Sequence, residues 1–168
     1  AGVTGQSAPE GLLCEELNHR ATTHLLDRLA DTAVRKVIIV GTAAEYGPQP
    51  TPFREEMPDD ARSPYAISRA RANRYALSLA ERAGLPVTIL RLFSVYGIGQ
   101  PMNMFLSQLI SHALSGREFL MTAGTQLRDF VQADDVARAI LRAAESDEAN
   151  GQIINIAGGI GFRLLDVA

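Results

Sequence analysis

The sequence predicts an α/β protein, a parallel, doubly wound sheet with helices on both faces. Three observations predict it. First, short continuous runs of β-branched and apolar residues recur at Lys36 to Val40 (KVIIV), Val87 to Phe93 (VTILRLF) and Ile153 to Ile156 (IINI). Such runs suit strands buried on both faces of a parallel sheet. Second, amphipathic helical runs separate them. Third, the two kinds of segment alternate, which is the pattern of βαβ units.

The elements follow in chain order. Residues 12–32 carry Leu13, Leu17, Ala21, Leu25, Leu26 and Leu29 near helical period. The KVIIV strand comes next. Pro48 to Ser63 is rich in Pro, Asp and Glu and reads as a long loop. Ser63-Pro64 is a helix start, with Ser as N-cap and Pro at the first helical position. That helix runs to about Ala83, where Gly84 and Pro86 stop it. The VTILRLF strand follows, then a turn over Gly97 to Met102. Met104 to Leu114 reads as a helix and Phe119 to Met121 as a short strand. Asp134 is the expected cap of a helix over 135–145. After the IINI strand, Leu164 begins another element.

Bulk properties exclude several classes. The chain has 168 residues, 46% of them hydrophobic and 21% charged. That is one domain or part of one, with enough chain to bury a core. A formal net charge of -3 gives no electrostatic case for nucleic acid or an anionic membrane. No apolar run approaches the roughly 20 residues a membrane helix needs. Nothing at Ala1 reads as a basic-then-apolar leader. Cys14 is alone, so no internal disulfide forms, and a cytoplasmic location fits. His19, His24 and His112 do not form a zinc-type set with Cys14, so no metal is expected.

Ligands of doubly wound sheets bind beyond the carboxyl ends of strands. Attention therefore falls just after Val40 and just after Phe93. Thr42 follows the first strand. Tyr65 and Arg69 sit four apart in the next helix, on one face. A phenol titrates near 10, and a nearby cation favours the phenolate. A hydroxyl, a phenol and a cation together could move a proton on or off a carbinol oxygen. Each residue also has a plainer role open to it. Thr42 would cap the segment after the strand, Tyr65 would be a half-buried aromatic, and Arg69 a solvated charge beside Arg71 and Arg74.

The flanking segments add weight. Gly41–Gly47 (GTAAEYG), Ser63–Arg69 (SPYAISR), Leu90–Gln100 (LRLFSVYGIGQ), Arg128–Ile140 (RDFVQADDVARAI) and Asn18–Leu26 occur in an order that resembles the extended short-chain dehydrogenases. More narrowly, they resemble the NAD-dependent epimerase/dehydratase family. The resemblance implies a Rossmann-like fold. Residues 1–100 would be the C-terminal half of the NAD(P)-binding domain, and 101–168 part of a substrate-binding region interleaved with the last Rossmann elements.

It also implies roles. Thr42 would hydrogen-bond the substrate oxygen, and Tyr65 would be the acid/base. Arg69 stands where the family's lysine holds the nicotinamide ribose. Asn18, Ile39, Val40, Gly41, Leu92 and Phe93 would join Tyr65 and Arg69 around an NAD or NADP cofactor. Thr42, Ala43, Ser94 and Arg128 would contact a nucleotide-sugar. A forked guanidinium suits its pyrophosphate, although an ion pair to Asp129 or Asp134 is the alternative for Arg128. Family members commonly pair through helices matching 12–32 and 64–84, so a homodimer is expected, with Ala76, Leu77, Leu79 and Ala80 as one face or, equally, as sheet-facing core.

Four departures qualify these roles. Arg69 replaces lysine, and Ser94 replaces asparagine. Ala43 and Ala44 stand where the dehydratase branch has Asp-Glu. Elimination of water needs that extra acid and base, so epimerase or ketoreductase chemistry is expected, with Glu45 pointing elsewhere. The family's opening Gly-x-x-Gly-x-x-Gly has no counterpart, since no strand precedes Val3-Thr4-Gly5. The chain thus reads as the catalytic half of such an enzyme. A non-catalytic dinucleotide-binding or protein-binding member is the other expectation.

Overall fold

The computed structural model describes residues 8–168. The Val3-Thr4-Gly5 stretch lies outside the described residues. The chain divides into two compact units, Ala1–Leu92 with Ala139–Asn155, and Phe93–Arg138 with Ile156–Ala168.

In the first unit, α1 (Ala8–Cys14) and α2 (Ala21–Ala30) are joined by a π-helical turn over Glu15–Arg20. β1 (Val37–Thr42) leads into a 3-10 turn, Ala43–Tyr46, and a long loop. α3 (Pro64–Ala83) follows, then β2 (Val87–Leu92). The ends of α3 form as the sequence dictates. Ser63 Oγ accepts the Ala66 N–H at 3.2 Å. Gly84 takes the left-handed conformation (φ 68°, ψ 19°) and donates to the Ala80 carbonyl, a role that only glycine fills without strain.

β1 and β2 pair in parallel, from Val37 opposite Val87 to Thr42 opposite Leu92. With β5 (Ile153–Ile156) they make the order β1-β2-β5. The core is Leu26, Ile39, Ala76, Leu79, Leu85, Val87 and Ile89. β2 is buried along nearly its whole length, as expected of a central strand. β1 is not buried on both faces throughout. Among the described residues it pairs only with β2, and Val40 is 39% exposed.

The first helical run also differs from its sequence pattern. Cys14, Asn18 and Leu26 are buried, whereas Leu13, Leu17 and Leu25 are exposed. The buried row lies one residue beyond the leucine stripe, already at Cys14 ahead of the π turn and again at Asn18 and Leu26. On α3, Ala76 and Leu79 belong to the core, with Leu77 and Ala80 packed against it. Ala76 and Leu79 thus face the sheet, while Leu77 and Ala80 are half-buried.

In the second unit, β3 (Ser94–Tyr96) pairs in parallel with β4 (Leu127–Gln132). β4 pairs antiparallel with β6 (Gly161–Arg163). α4 spans Phe105–Leu114, and α6 spans Leu164–Val167. The strand expected at Phe119–Met121 is absent. Phe119 instead sets its ring edge-on to Phe105 at 5.7 Å, and at 5.4 Å from His112. The strand of this region is β4, whose polar start hides it from a search for apolar runs. α5 runs Ala133–Glu145, so Asp134 sits in its first turn rather than at its cap. There its charge still complements the helix dipole. No helix among the described residues is long and apolar enough to cross a membrane.

Candidate active site

The carboxyl end of β1 carries the first group. Ile39 and Gly41 are buried, Val40 is exposed, and Thr42 and Ala43 are half-buried. Leu92, opposite Thr42 in the ladder, is half-buried too. Thr42 keeps an extended backbone (φ -146°, ψ 143°), and its Oγ1 accepts the Ala44 N–H at 3.3 Å. The plain capping role is therefore present. It leaves the hydroxyl proton free to donate, because a hydroxyl has one donor besides its acceptor lone pairs.

The second group stands on α3, which packs against both β1 and the 3-10 turn. Tyr65 and Arg69 are one helical turn apart and half-buried. Arg69 Nε is buried and has no hydrogen-bond partner among the described residues. A buried N–H donor left without an acceptor is uncommon. Its chemistry fits hydroxyl oxygens such as those of a ribose, so the residues present suit the nicotinamide nucleotide that the family resemblance implies.

Asn18 lies behind this face. It is fully buried in the π turn, and its Nδ2 donates to Ser68 Oγ at 3.3 Å. Ser68 Oγ in turn donates to the Tyr65 carbonyl at 2.8 Å. The asparagine thus reaches the turn of α3 that bears Tyr65.

Beneath Thr42 is a polar cluster that sequence reasoning missed. Glu45 does point inward, and it is fully buried. Its Oε1 accepts the Thr42 N–H at 2.8 Å. Arg91 Nε donates to Glu45 Oε2 at 2.9 Å, and Arg91 Nη2 reaches the Asp59 carboxylate. The Arg91 guanidinium also lies over the Tyr46 ring, 4.5 Å from its centroid. Burial pulls the Arg91 pKa down, but Tyr46, Glu45 and Asp59 outweigh it, and the group stands above its usual value. The available signal was an arginine inside an otherwise apolar strand, VTILRL. A buried charge demands a partner.

The second unit holds the remaining candidates. Phe93 N–H donates to the Ile156 carbonyl at 3.1 Å. Ser94 is half-buried opposite Phe130 in the β3–β4 ladder. Arg128 is exposed on β4, and its Nη1 donates to the Leu127 carbonyl at 2.8 Å. It forms no ion pair with Asp129 or Asp134. The Asp129 carboxylate instead accepts the N–H groups of Gly158 and Gly159 at 2.5 and 2.9 Å.

The profile of the NAD dependent epimerase/dehydratase family matches residues 3–157. The chain is 31% identical over 144 residues to a UDP-glucuronate 4-epimerase from Thermodesulfobacterium geofontis, covering 84% of this chain and 44% of that protein. It is 33% identical over 149 residues to the dTDP-D-glucose 4,6-dehydratase of Mus musculus, covering 87% and 42%. Among solved structures, the UDP-glucuronic acid 4-epimerase of Bacillus cereus, in complex with UDP-glucuronic acid and NAD, superposes with a TM-score of 0.90 at 27% identity. That match covers 99% of this chain and 54% of the other. The chain therefore spans about half the length of the proteins it matches.

Proposed function

Because this chain belongs to the NAD dependent epimerase/dehydratase family, we propose that it carries the proton-transfer residues of an NAD-dependent epimerase or ketoreductase acting on a nucleotide-sugar. The observation that carries this reading is the α3 face. Tyr65 and Arg69 share it, and Arg69 Nε is buried there without an acceptor among the described residues.

The nicotinamide, when bound, supplies a reversible acceptor for hydride from a carbinol carbon. Tyr65, as the phenolate that the Arg69 charge favours, takes the proton from the carbinol oxygen, leaving a keto sugar, and returns it in the reverse step. Thr42 Oγ1 donates to the same oxygen and orients it. Arg69 keeps a fixed positive charge on that face and donates to the nicotinamide ribose. Ile39, Val40, Gly41 and Leu92 line the cofactor from the strand ends, and Asn18 supports the Tyr65 turn. In the second unit, Phe93 belongs with the cofactor contacts, and Ser94 and Arg128 are contacts for substrate.

Epimerase or ketoreductase chemistry is preferred over dehydration. Ala43 and Ala44 carry no proton donor or acceptor for elimination of water. A non-catalytic role is not favoured, since the relatives and neighbours are enzymes by name. NAD is preferred to NADP because NAD occupies the B. cereus structure. A homodimer through helices 12–32 and 64–84 is part of the proposal. Its support is the exposed row of Leu12, Leu13, Leu17 and Leu25.

The test is turnover by the intact protein with NAD against a panel of UDP-glucose, UDP-glucuronic acid, UDP-N-acetylglucosamine and dTDP-glucose. Interconversion of one sugar with its epimer, or reversible NADH formation, supports the reading. Binding of the panel with no turnover of any member sinks it.

A further inference from the structure

The polar cluster beneath Thr42 connects three elements that the proposed chemistry needs in register. Glu45, Asn73 and Arg91 are 0%, 1% and 2% exposed. Asn73 Nδ2 donates to both oxygens of Glu45, at 2.8 and 3.0 Å. The same carboxylate accepts Thr42 N–H and Arg91 Nε. One carboxylate therefore bonds the end of β1, the helix α3 and the strand β2.

Asn73 is eight residues after Tyr65 and four after Arg69 on α3. Spacing by four puts all three on one row of the helix. The bond from Asn73 to Glu45 thus fixes that row against the strand end bearing Thr42. Gly41 shows how closely the parts meet. A Cβ there would lie 2.8 Å from Glu45 Oε1 and 2.9 Å from Asn73 Nδ2. The two side chains close over a position that has no side chain of its own.

Folding alone does not require this arrangement. A buried ion pair costs about as much in desolvation as its attraction returns, and apolar residues of similar volume often serve stability as well. Fixing a register is the best-attested use of such groups.

We propose that Glu45, held by Asn73 and Arg91, is a positioning residue that sets the separation between Thr42 and the Tyr65–Arg69 row. It touches neither substrate nor cofactor. This rests on the reading of Tyr65 as the acid/base.

The experiment uses the intact protein and whichever nucleotide-sugar of the panel it turns over. Asn73→Ala removes the tether to α3 without adding charge. Asn73→Leu removes the same tether while keeping nearly the volume of the side chain, and Glu45 keeps its bonds from Thr42 N–H and Arg91. Both are expected to lower kcat by about 10- to 100-fold, the scale of an ångström-level misplacement. KM and NADH affinity by nicotinamide fluorescence are expected to stay within about threefold, since the tether touches no ligand. A purely structural role would lower the melting temperature and leave kcat of the folded protein alone.

Wild-type kcat in either folded variant overturns the proposal. So does a proportional loss of kcat, KM and cofactor affinity together, which would mean general collapse. If Asn73→Ala fails to fold, Asn73→Leu decides by the same criteria. Tyr65→Phe serves as the control. Normal turnover there refutes the acid/base reading. An inactive Tyr65→Phe beside wild-type Asn73→Ala and Asn73→Leu refutes the positioning proposal alone.

Discussion

Arg91 donates from Nε to Glu45 Oε2 at 2.9 Å, with the two side chains 2% and 0% exposed. The pair joins the middle of the sheet to the turn after β1. Removing one partner of a buried pair strands the other charge. Arg91→Met is therefore expected to cost about 3–5 kcal/mol of unfolding free energy. Adding Glu45→Gln to that variant should recover part of the loss. Urea unfolding of the two single variants and the double variant checks this, and strictly additive losses would contradict it.

Tyr65→Phe removes one oxygen from a half-buried ring on α3. Turnover should fall by roughly 10²- to 10⁴-fold, the usual scale for a positioned acid/base. NADH binding by fluorescence should change little. Steady-state rates and a fluorescence titration on the same preparation report both.

Arg69→Lys keeps the charge but gives up the buried Nε and the planar fork. Turnover should survive this change and be lost with Arg69→Met, by on the order of 100-fold or more. If Arg69→Lys creates activity in a protein otherwise inert, the non-catalytic reading is the correct one.

Gly47 ends the 3-10 turn at φ 66°, ψ -150°. A Cβ there would sit 1.9 Å from the Asp60 carbonyl oxygen. That backbone region is close to glycine-only and costs about 1–3 kcal/mol for other residues before the clash is counted. Gly47→Ala should lower the thermal midpoint clearly. An unchanged midpoint by circular dichroism would contradict the turn geometry.

Leu17 is 45% exposed, in the row with Leu12, Leu13 and Leu25. If that row pairs two copies, Leu17→Glu should convert a dimer at micromolar concentration to a monomer without loss of helix content. Light scattering tests it. A wild-type protein already monomeric at that concentration removes the dimer.

The sequence by itself determined the elements whose cause is local. Ser63-Pro64 and Gly84 set the ends of α3, because capping and left-handed geometry depend on single residue types. Apolar runs marked β1, β2 and β5, since burial in a sheet demands them. The row of Tyr65 and Arg69 followed from helical spacing alone. Tertiary structure decided what depends on partners far along the chain. β4 and β6 are strands because they pair with each other, although their residues are polar or few. Packing against α3 made Cys14, Asn18 and Leu26 the buried row in place of Leu13, Leu17 and Leu25. Glu45, Asn73 and Arg91 lie 28 and 46 residues apart in sequence. No local pattern brings them together. The burial of one cation in β2 selects the acids and amides that must meet it, and only the folded chain reveals which those are.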